Sequence, residues 1–254
     1  MALPNDDRGA WQYKKKKTFL SHGIAFDLLR ALAIMAPADR FGRRPLVNIA
    51  HIALGACILF SMAGGAVAQD RMPPIPASKM TDAQKQAAAE LTSGPRKVLS
   101  GPFIPLLRSP EFMSRLQKMG EYLRFENSLG HRITEFVILY TARQWTQEFE
   151  WDSHYQLAKA AGVERDVITA ISEGRRPERM TDDEEIAYDF CDELYKNKSV
   201  SDATYTRAVK KFGEQGAVDM TGVAGYYSML GMILNMARTP LPPGKKPGLA
   251  AFPH

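Results

Sequence analysis

Residues 135–154 read EFVILYTARQWTQEFEWDSH, and this stretch of the chain decides the fold. Its first half is almost wholly apolar, which predicts a helix buried on every side. Its second half carries charged and aromatic residues at helical spacing, which predicts a second helix with one polar face. Glu135 stands at the head of the apolar half. Because a buried carboxylate is costly unless a neighbour uses its charge or shifts its pKa, Glu135 is a candidate acid or base.

Helical patterns continue along most of the remaining chain. Ser109 followed by Pro110 is typical of a helix start, and Thr181 with Glu184 forms a capping box. The predicted helices cover residues 81–91, 109–125, 132–145, 148–161, 164–173, 181–196, 201–213 and 215–237. Because no alternating strand pattern of useful length occurs, we predict an all-α, multi-helix fold.

The last predicted helix, residues 215–237, is apolar around its whole circumference and carries Asp219 as its only charge. Its length would suffice to span a bilayer. Its glycines and small polar residues favour instead a helix that packs closely on its neighbours. We therefore expect a subunit interface rather than a contact with lipid.

The composition argues against two classes of function. Residues 1–68 hold nine of the 33 Lys/Arg and four of the 28 Asp/Glu, so the remainder carries 24 of each and is neutral. A nucleic-acid role therefore has no electrostatic support. The two cysteines, Cys57 and Cys191, are too few for a disulfide framework or a cysteine metal site. We predict no metal site and no cofactor.

The amino-terminal third has the pattern of a targeting segment. Residues 45–69 contain no charged residue, follow a cluster of arginines and end in small residues. This order is typical of a secretory signal, with cleavage after Ala68. Since such signals begin near the initiator methionine, we expect translation to start at Met35, with a signal peptide over residues 35–68 and a misassigned extension over residues 1–34.

Two alternatives remain for this segment. Residues 45–69 are long enough for an uncleaved anchor in the inner membrane. The sequence LGAC, which ends at Cys57, is a weaker match to a lipoprotein cleavage site. In each case the protein beyond residue 69 lies outside the cytoplasmic membrane, so we predict a periplasmic or secreted protein. That part divides into a proline-containing arm (69–100), a helical domain (101–240) and an irregular tail (241–254).

The two helices of the opening stretch carry a candidate active site. Gln147, Glu150, Trp151 and His154 share one face of the second helix. If the two helices form a hairpin, Glu135 approaches His154, and a histidine beside a carboxylate can hold or accept a proton near neutral pH. The alternative is structural: Glu135 would complement the helix dipole, and His154 would be a core histidine with satisfied nitrogens.

This segment resembles the carboxymuconolactone decarboxylase family, which includes the alkylhydroperoxidase D-like proteins. The likeness covers roughly residues 100–240 and is carried by the opening stretch and by DEEIAYDFCDEL, SVSDATYTRAVKKFG and GYYSMLGMILN. In the peroxidase branch of the family, a glutamate is followed by two cysteines spaced CxxC and then by a histidine. The glutamate and the histidine of that pattern fall on Glu135 and His154, but the cysteine positions hold Gln147 and Glu150.

The missing cysteines decide which branch the resemblance implies. A thiol peroxidase needs one thiolate to attack the peroxide and a second thiol to resolve it. Without them the resemblance implies the decarboxylase branch, and an all-helical subunit that assembles into a trimer or hexamer with sites near subunit contacts. We predict acid/base decarboxylation, or related proton-transfer chemistry, on a small carboxylated lactone or oxo acid. The alternatives are a peroxidase that works without the CxxC pair and a non-catalytic oligomeric scaffold.

The predicted roles follow from that chemistry. His154 would donate the proton to carbon, Glu135 would orient the imidazole and set its pKa, and Glu150 would be a second proton-transfer group. The predicted substrate-binding residues are Trp151, which would exclude water, Arg143, which would bind the substrate carboxylate, and Gln147. The expected partners are a small-molecule substrate and further copies of the chain, with no nucleic acid and with membrane contact only through an uncleaved signal.

Overall fold

The structure, a computed structural model, describes residues 69–249. The predicted extension, the predicted signal peptide with its alternatives, and the last residues of the tail lie outside this part. Residues 69–249 contain eight α-helices and no β-strand, which confirms the predicted all-α fold.

The eight helices are numbered in chain order. They are α1 (Asp82–Ser93), α2 (Phe103–Leu106), α3 (Pro110–Glu121), α4 (His131–Gln144), α5 (Glu148–Ala160), α6 (Arg165–Ser172), α7 (Asp182–Asn197) and α8 (Asp202–Ala237). A short 3-10 turn (Ala77–Lys79) precedes α1, and a π-helical turn (Tyr122–Glu126) extends α3. Within the described part, no helix combines the length and the apolar character that crossing a membrane requires.

The starts of α3 and α7 follow the signals that the sequence predicts, and α1 begins with a capping box of its own. At α1, Thr81 Oγ1 accepts a hydrogen bond from the backbone N–H of Gln84 at 3.3 Å, and Gln84 Oε1 accepts from the N–H of Thr81 at 3.0 Å. At α7, Glu184 Oε2 accepts from the N–H of Thr181 at 2.9 Å. Helix α3 begins at Pro110. These bonds satisfy donors that a helix leaves open at its first turn.

Two predicted helix boundaries differ from the structure. The predicted helices 201–213 and 215–237 are one helix, α8, which kinks at Gly213, where φ is 74°. Glycine adopts this φ without strain, so Gly213 bends the helix instead of ending it. The helix predicted over 109–125 is α-helical only to Glu121 and then widens into the π-helical turn. Such turns occur frequently at functional sites.

Helix α4 is the centre of the described fold. It packs against α5, α7 and α8, and every side chain from residue 133 to residue 143 is buried. The four apolar residues that follow Glu135 have no exposed surface. Because full burial of each such side chain contributes about 1.5–3 kcal/mol, α4 is a rigid support for the carboxylate of Glu135.

The arm before residue 100 is attached to the helical domain. Arg71 donates its backbone N–H to the carbonyl of Ala237 at 2.8 Å. The guanidinium of Arg108 donates to the carbonyl of Pro73 at 2.7 Å. Helix α1 packs against α3. The stretch between α1 and α2 carries Arg96, whose guanidinium donates to the carbonyl of Gly120 and to the hydroxyl of Tyr226.

Candidate active site

The turn between α4 and α5 brings Glu135 and His154 together. Thr146 in this turn has a φ of 44°, and α5 packs back against α4. His154 Nδ1 lies 2.7 Å from Glu135 Oε2. The exposed fraction is 1% for Glu135 and 3% for His154. The helix hairpin therefore holds the carboxylate and the imidazole at hydrogen-bond distance in a dry environment.

The two nitrogens of His154 have different surroundings. Because a carboxylate can only accept, Nδ1 carries a proton and donates it to Glu135. Nε2 lies 3.6 Å from Glu150 Oε2, which is longer than a hydrogen bond. One nitrogen is thus fixed by Glu135, while the other stands beside Glu150 and is available to a bound molecule.

Glu150 is the second buried carboxyl group of the site. Burial raises its pKa above the ordinary value, and the charges of His154, Arg96 and Arg124 only partly oppose that rise. The protonated form is therefore favoured more than it is for a glutamate in water. A carboxyl group in this condition can donate a proton.

A cavity opens beside His154 and Glu150. Its volume is about 110 Å³, whereas one water molecule needs about 10–15 Å³. The wall residues that matter for the chemistry are Arg96, Phe103, Arg124, Glu150, His154 and Tyr227. The cavity therefore has room for a small molecule and surrounds it with proton-transfer groups, two guanidinium groups and a phenol.

Tyr227 of α8 forms one wall of the cavity. Its ring meets the ring of His154 edge to face, with centroids 5.1 Å apart. Its hydroxyl is buried and has no hydrogen-bond partner within residues 69–249. Burial raises the pKa of this phenol, so it stays protonated and can donate a hydrogen bond.

Glu135 does not line the cavity and contacts it only through His154. Three further predicted site residues also lie away from the cavity lining. Gln147 caps α5 by accepting from the N–H of Phe149 at 2.7 Å, and its amide donates to Asn235 at 2.8 Å. Trp151 is buried and faces Gly248 of the carboxy-terminal tail. Arg143 is buried beside a different depression, next to α6 and α7.

Helix geometry explains why Trp151 and Arg143 do not line the cavity. Residues of an α-helix advance by about 100° each. On α5, Trp151 therefore points about 100° away from Glu150, across the face that His154 shares. On α4, Arg143 lies eight positions after Glu135 and is turned about 80° from it. A common helix face is too broad a criterion to place every member in one cavity.

The sequence prediction did not include Arg96, Arg124 or Tyr227. Tyr227 could have been predicted from the sequence, because a buried phenol in the apolar helix 215–237 needs either a hydrogen-bond partner or a cavity for its hydroxyl. Arg124 lies near the end of a predicted helix, and only the π-helical turn aims it at the site. For Arg96 there was no local signal, since its place depends on the path from α1 to α2.

Cys191 is not part of the cavity lining. It lies on α7 and is buried, and burial raises the pKa of its thiol to about 12. A thiol with so high a pKa stays protonated, and the thiolate is the nucleophilic form. The described site therefore offers no thiolate for peroxide chemistry.

The described helices form an all-helical protein with a small cavity beside Glu150 and His154. The comparisons with known proteins agree with the all-helical class. The family model described as "Carboxymuconolactone decarboxylase family" matches residues 110–181, a segment that includes Arg124, Glu135, Glu150 and His154. This match confirms the resemblance to that family that the sequence predicts.

A solved structure shows the fold independently. It is a crystal structure of a protein of unknown function from Agrobacterium tumefaciens, described as a candidate antioxidant defence protein AhpD. The match has a TM-score of 0.50 and 19% sequence identity, and it covers 56% of this chain and 99% of that chain. The described helices thus have the AhpD-like fold. None of the curated proteins gives a significant match to the chain.

Proposed function

We propose that this protein is an enzyme that transfers protons on a small carboxylated molecule, and that its reaction is decarboxylation of a lactone or oxo acid or a related proton transfer. One observation carries the proposal. His154 is fixed through Nδ1 to Glu135 at 2.7 Å, while its other nitrogen stands beside a cavity that also contains Glu150. A filled core around the same two residues would have favoured a scaffold without catalysis.

The decarboxylation step uses these groups in a balanced way. The bond between the substrate carbon and its carboxylate breaks, carbon dioxide leaves, and the electron pair passes into a conjugated carbonyl as an enolate. Tyr227 donates a hydrogen bond to the enolate oxygen. The proton then passes to carbon from the protonated carboxyl of Glu150, or from His154 Nε2 when the ring carries a proton on both nitrogens, and water restores the proton to the donor.

The test is activity of Glu135→Gln and His154→Gln on purified, correctly processed protein. The wild type is screened with small carboxylated lactones, β-oxo acids and hydroperoxides, with carbon dioxide release as one readout. Each variant is expected to lose about 10²–10⁴-fold in turnover, which is the usual contribution of a positioned acid or base. Full turnover in both variants would remove the mechanism.

Two controls separate this result from misfolding and from peroxidase chemistry. His131→Gln changes an exposed histidine at the start of α4 and is expected to leave turnover unchanged. Cys191→Ser removes the buried thiol and is also expected to leave turnover unchanged. Hydroperoxide turnover that survives Cys191→Ser would favour the peroxidase alternative over decarboxylation.

Export and assembly are parts of the same proposal. Export is supported by the basic, apolar and small-residue order of residues 35–68, which lie outside the described part, and a membrane anchor over residues 45–69 is the alternative. Assembly into a homo-oligomer is supported by exposed apolar side chains on α8: Val218 is 70% exposed and Met232 is 45% exposed. Aliphatic surface of this kind is a common feature of subunit contacts.

A further inference from the structure

Two guanidinium groups of the cavity wall lack a carboxylate partner. Arg96 donates to the carbonyl of Gly120 at 3.3 Å and to the hydroxyl of Tyr226 at 3.2 Å, and both of these partners are neutral. Arg124 rests over the ring of Phe125 and forms no hydrogen bond or ion pair within the described residues. Guanidinium groups stay charged in proteins.

The acidic groups nearby do not cancel this positive charge. Glu150 is the carboxyl group in the cavity wall, and it forms an ion pair with neither arginine in the described structure. The carboxylate of Glu135 is already bonded to His154. Glu121 also lies near Tyr226, as both arginines do, but neither guanidinium forms an ion pair with a carboxylate of the described residues. Both are therefore able to bind an anion in the cavity.

Unpaired polar atoms stand on the same side of the cavity. The Nε–H of Arg96 and the hydroxyl of Tyr227 are both buried without a partner within residues 69–249. Buried donors are normally satisfied, and a pair left open beside a cavity marks groups that a bound molecule can satisfy. Tyr227 is 2% exposed, so its hydroxyl does not reach bulk water by a small movement.

We infer that Arg96 and Arg124 form an anion-binding end of the cavity, which takes the carboxylate of a small substrate while Tyr227 donates to a second oxygen of the same molecule. This inference rests on the proposed function for its site and gives that site a substrate class. Guanidinium and carboxylate groups match in charge and in planar geometry. Arg143, the predicted carboxylate ligand, is replaced in that role.

Arg96 lies outside the segment that the family model matches. It precedes residues 110–181, the segment that the family model matches, and lies between α1 and α2. One of the two anion ligands is therefore supplied by the amino-terminal arm.

The test is binding of crotonate, a small carboxylate, compared with its neutral amide crotonamide. Binding is followed by NMR through the ring signals of His154 in the whole protein, so that the readout reports on this cavity and needs no turnover. The wild type is expected to bind crotonate at least about tenfold more tightly than crotonamide, because hydrogen bonds to charged groups contribute about 1.5–3 kcal/mol.

Arg124→Gln is the decisive variant, since the side chain forms no hydrogen bond or ion pair in the described fold and contacts only the exposed ring of Phe125, so we expect its loss to leave folding intact. It is expected to weaken crotonate binding about tenfold or more and to leave crotonamide binding unchanged. Arg124→Lys, which keeps the charge, is expected to bind crotonate with intermediate affinity. Arg179→Gln, at an exposed arginine outside the cavity, removes the same charge and is expected to leave crotonate binding unchanged.

Two results would overturn the inference: crotonate binding that survives Arg124→Gln, or crotonamide binding as tight as crotonate binding in the wild type. The outcome is separable from that of the proposed function. His154→Gln, whose crotonate binding is measured by titration calorimetry because the ring signals of His154 are absent, is expected to keep crotonate binding and to lose turnover. A protein that binds crotonate through Arg124 and turns over no substrate would contradict the proposed function alone.

Discussion

At the scale of single residues, Glu150 gives a prediction that needs no substrate. Burial raises its pKa above the ordinary value, so the folded protein holds this proton more tightly than the unfolded chain. The stability that the protonated carboxyl contributes is fully present below the ordinary value, 4.5, and is lost as the pH rises through the folded-state pKa. Near neutral pH, Glu150 therefore costs stability.

Glu150→Gln removes that cost, because glutamine is neutral at every pH. The variant is expected to be more stable than the wild type near pH 8, and the difference is expected to shrink towards zero near pH 4. Urea unfolding at both pH values measures it. Glu178→Gln changes an exposed glutamate and is expected to show no such trend. A less stable Gln variant near pH 8 would contradict the assignment.

The residue scale also shows how far the sequence predicts the site. Glu135, Glu150 and His154 could be found because helix spacing and one tight turn place them, and both signals are local. Arg96 and Arg124 could not be found in this way. Their side chains reach the cavity through the path of the arm and through a π-helical turn, and neither feature has a local pattern in the sequence.

At the scale of helices, α3 and α8 approach each other closely at Gly120. A β-carbon at this position would overlap the hydroxyl of Tyr226, and it would lie 2.8 Å from the guanidinium of Arg96. Tyr226 is 1% exposed and cannot turn aside. Gly120 is therefore required for the packing of the two helices that carry Arg124 and Tyr227.

Gly120→Ala is expected to lower the free energy of unfolding by about 1–3 kcal/mol, the usual cost of overpacking. Gly225→Ala is the matched control, because Gly225 lies on α8 with nothing within 4 Å of its added β-carbon. It is expected to be neutral or to gain about 0.5–1 kcal/mol, since alanine favours a helix interior. Thermal unfolding compares the two. Equal stabilities would show that the close approach at Gly120 is wrong.

Some helix boundaries could be predicted from the sequence, and others could not. The Ser109–Pro110 pair predicted the start of α3, and Thr181 with Glu184 predicted the start of α7, because both signals lie within a few neighbouring residues of the chain. Gly213 was expected to end a helix, and instead it bends α8. A glycine permits both outcomes locally, and the packing of the helix on either side of it decides between them.

At the scale of the whole molecule, the site is assembled from four distant parts of the chain. The arm supplies Arg96, the end of α3 supplies Arg124, the α4 and α5 hairpin supplies the proton-transfer pair, and α8 supplies Tyr227. The hairpin belongs to the segment that the family model matches, whereas the arm and α8 lie outside it. The fold class and the family were therefore predictable from short motifs, and the shape of the cavity was not.

The tautomer of His154 tests the central claim most directly. A long-range ¹H–¹⁵N spectrum of histidine-labelled protein identifies which ring nitrogen carries the proton, and His154→Gln assigns the signals. The structure predicts a proton on Nδ1, donated to Glu135, and a bare Nε2 in the neutral ring. A proton on Nε2 with a bare Nδ1 would show that Nδ1 does not donate to Glu135, and the assigned roles of His154 and Glu135 in the acid–base site would be wrong.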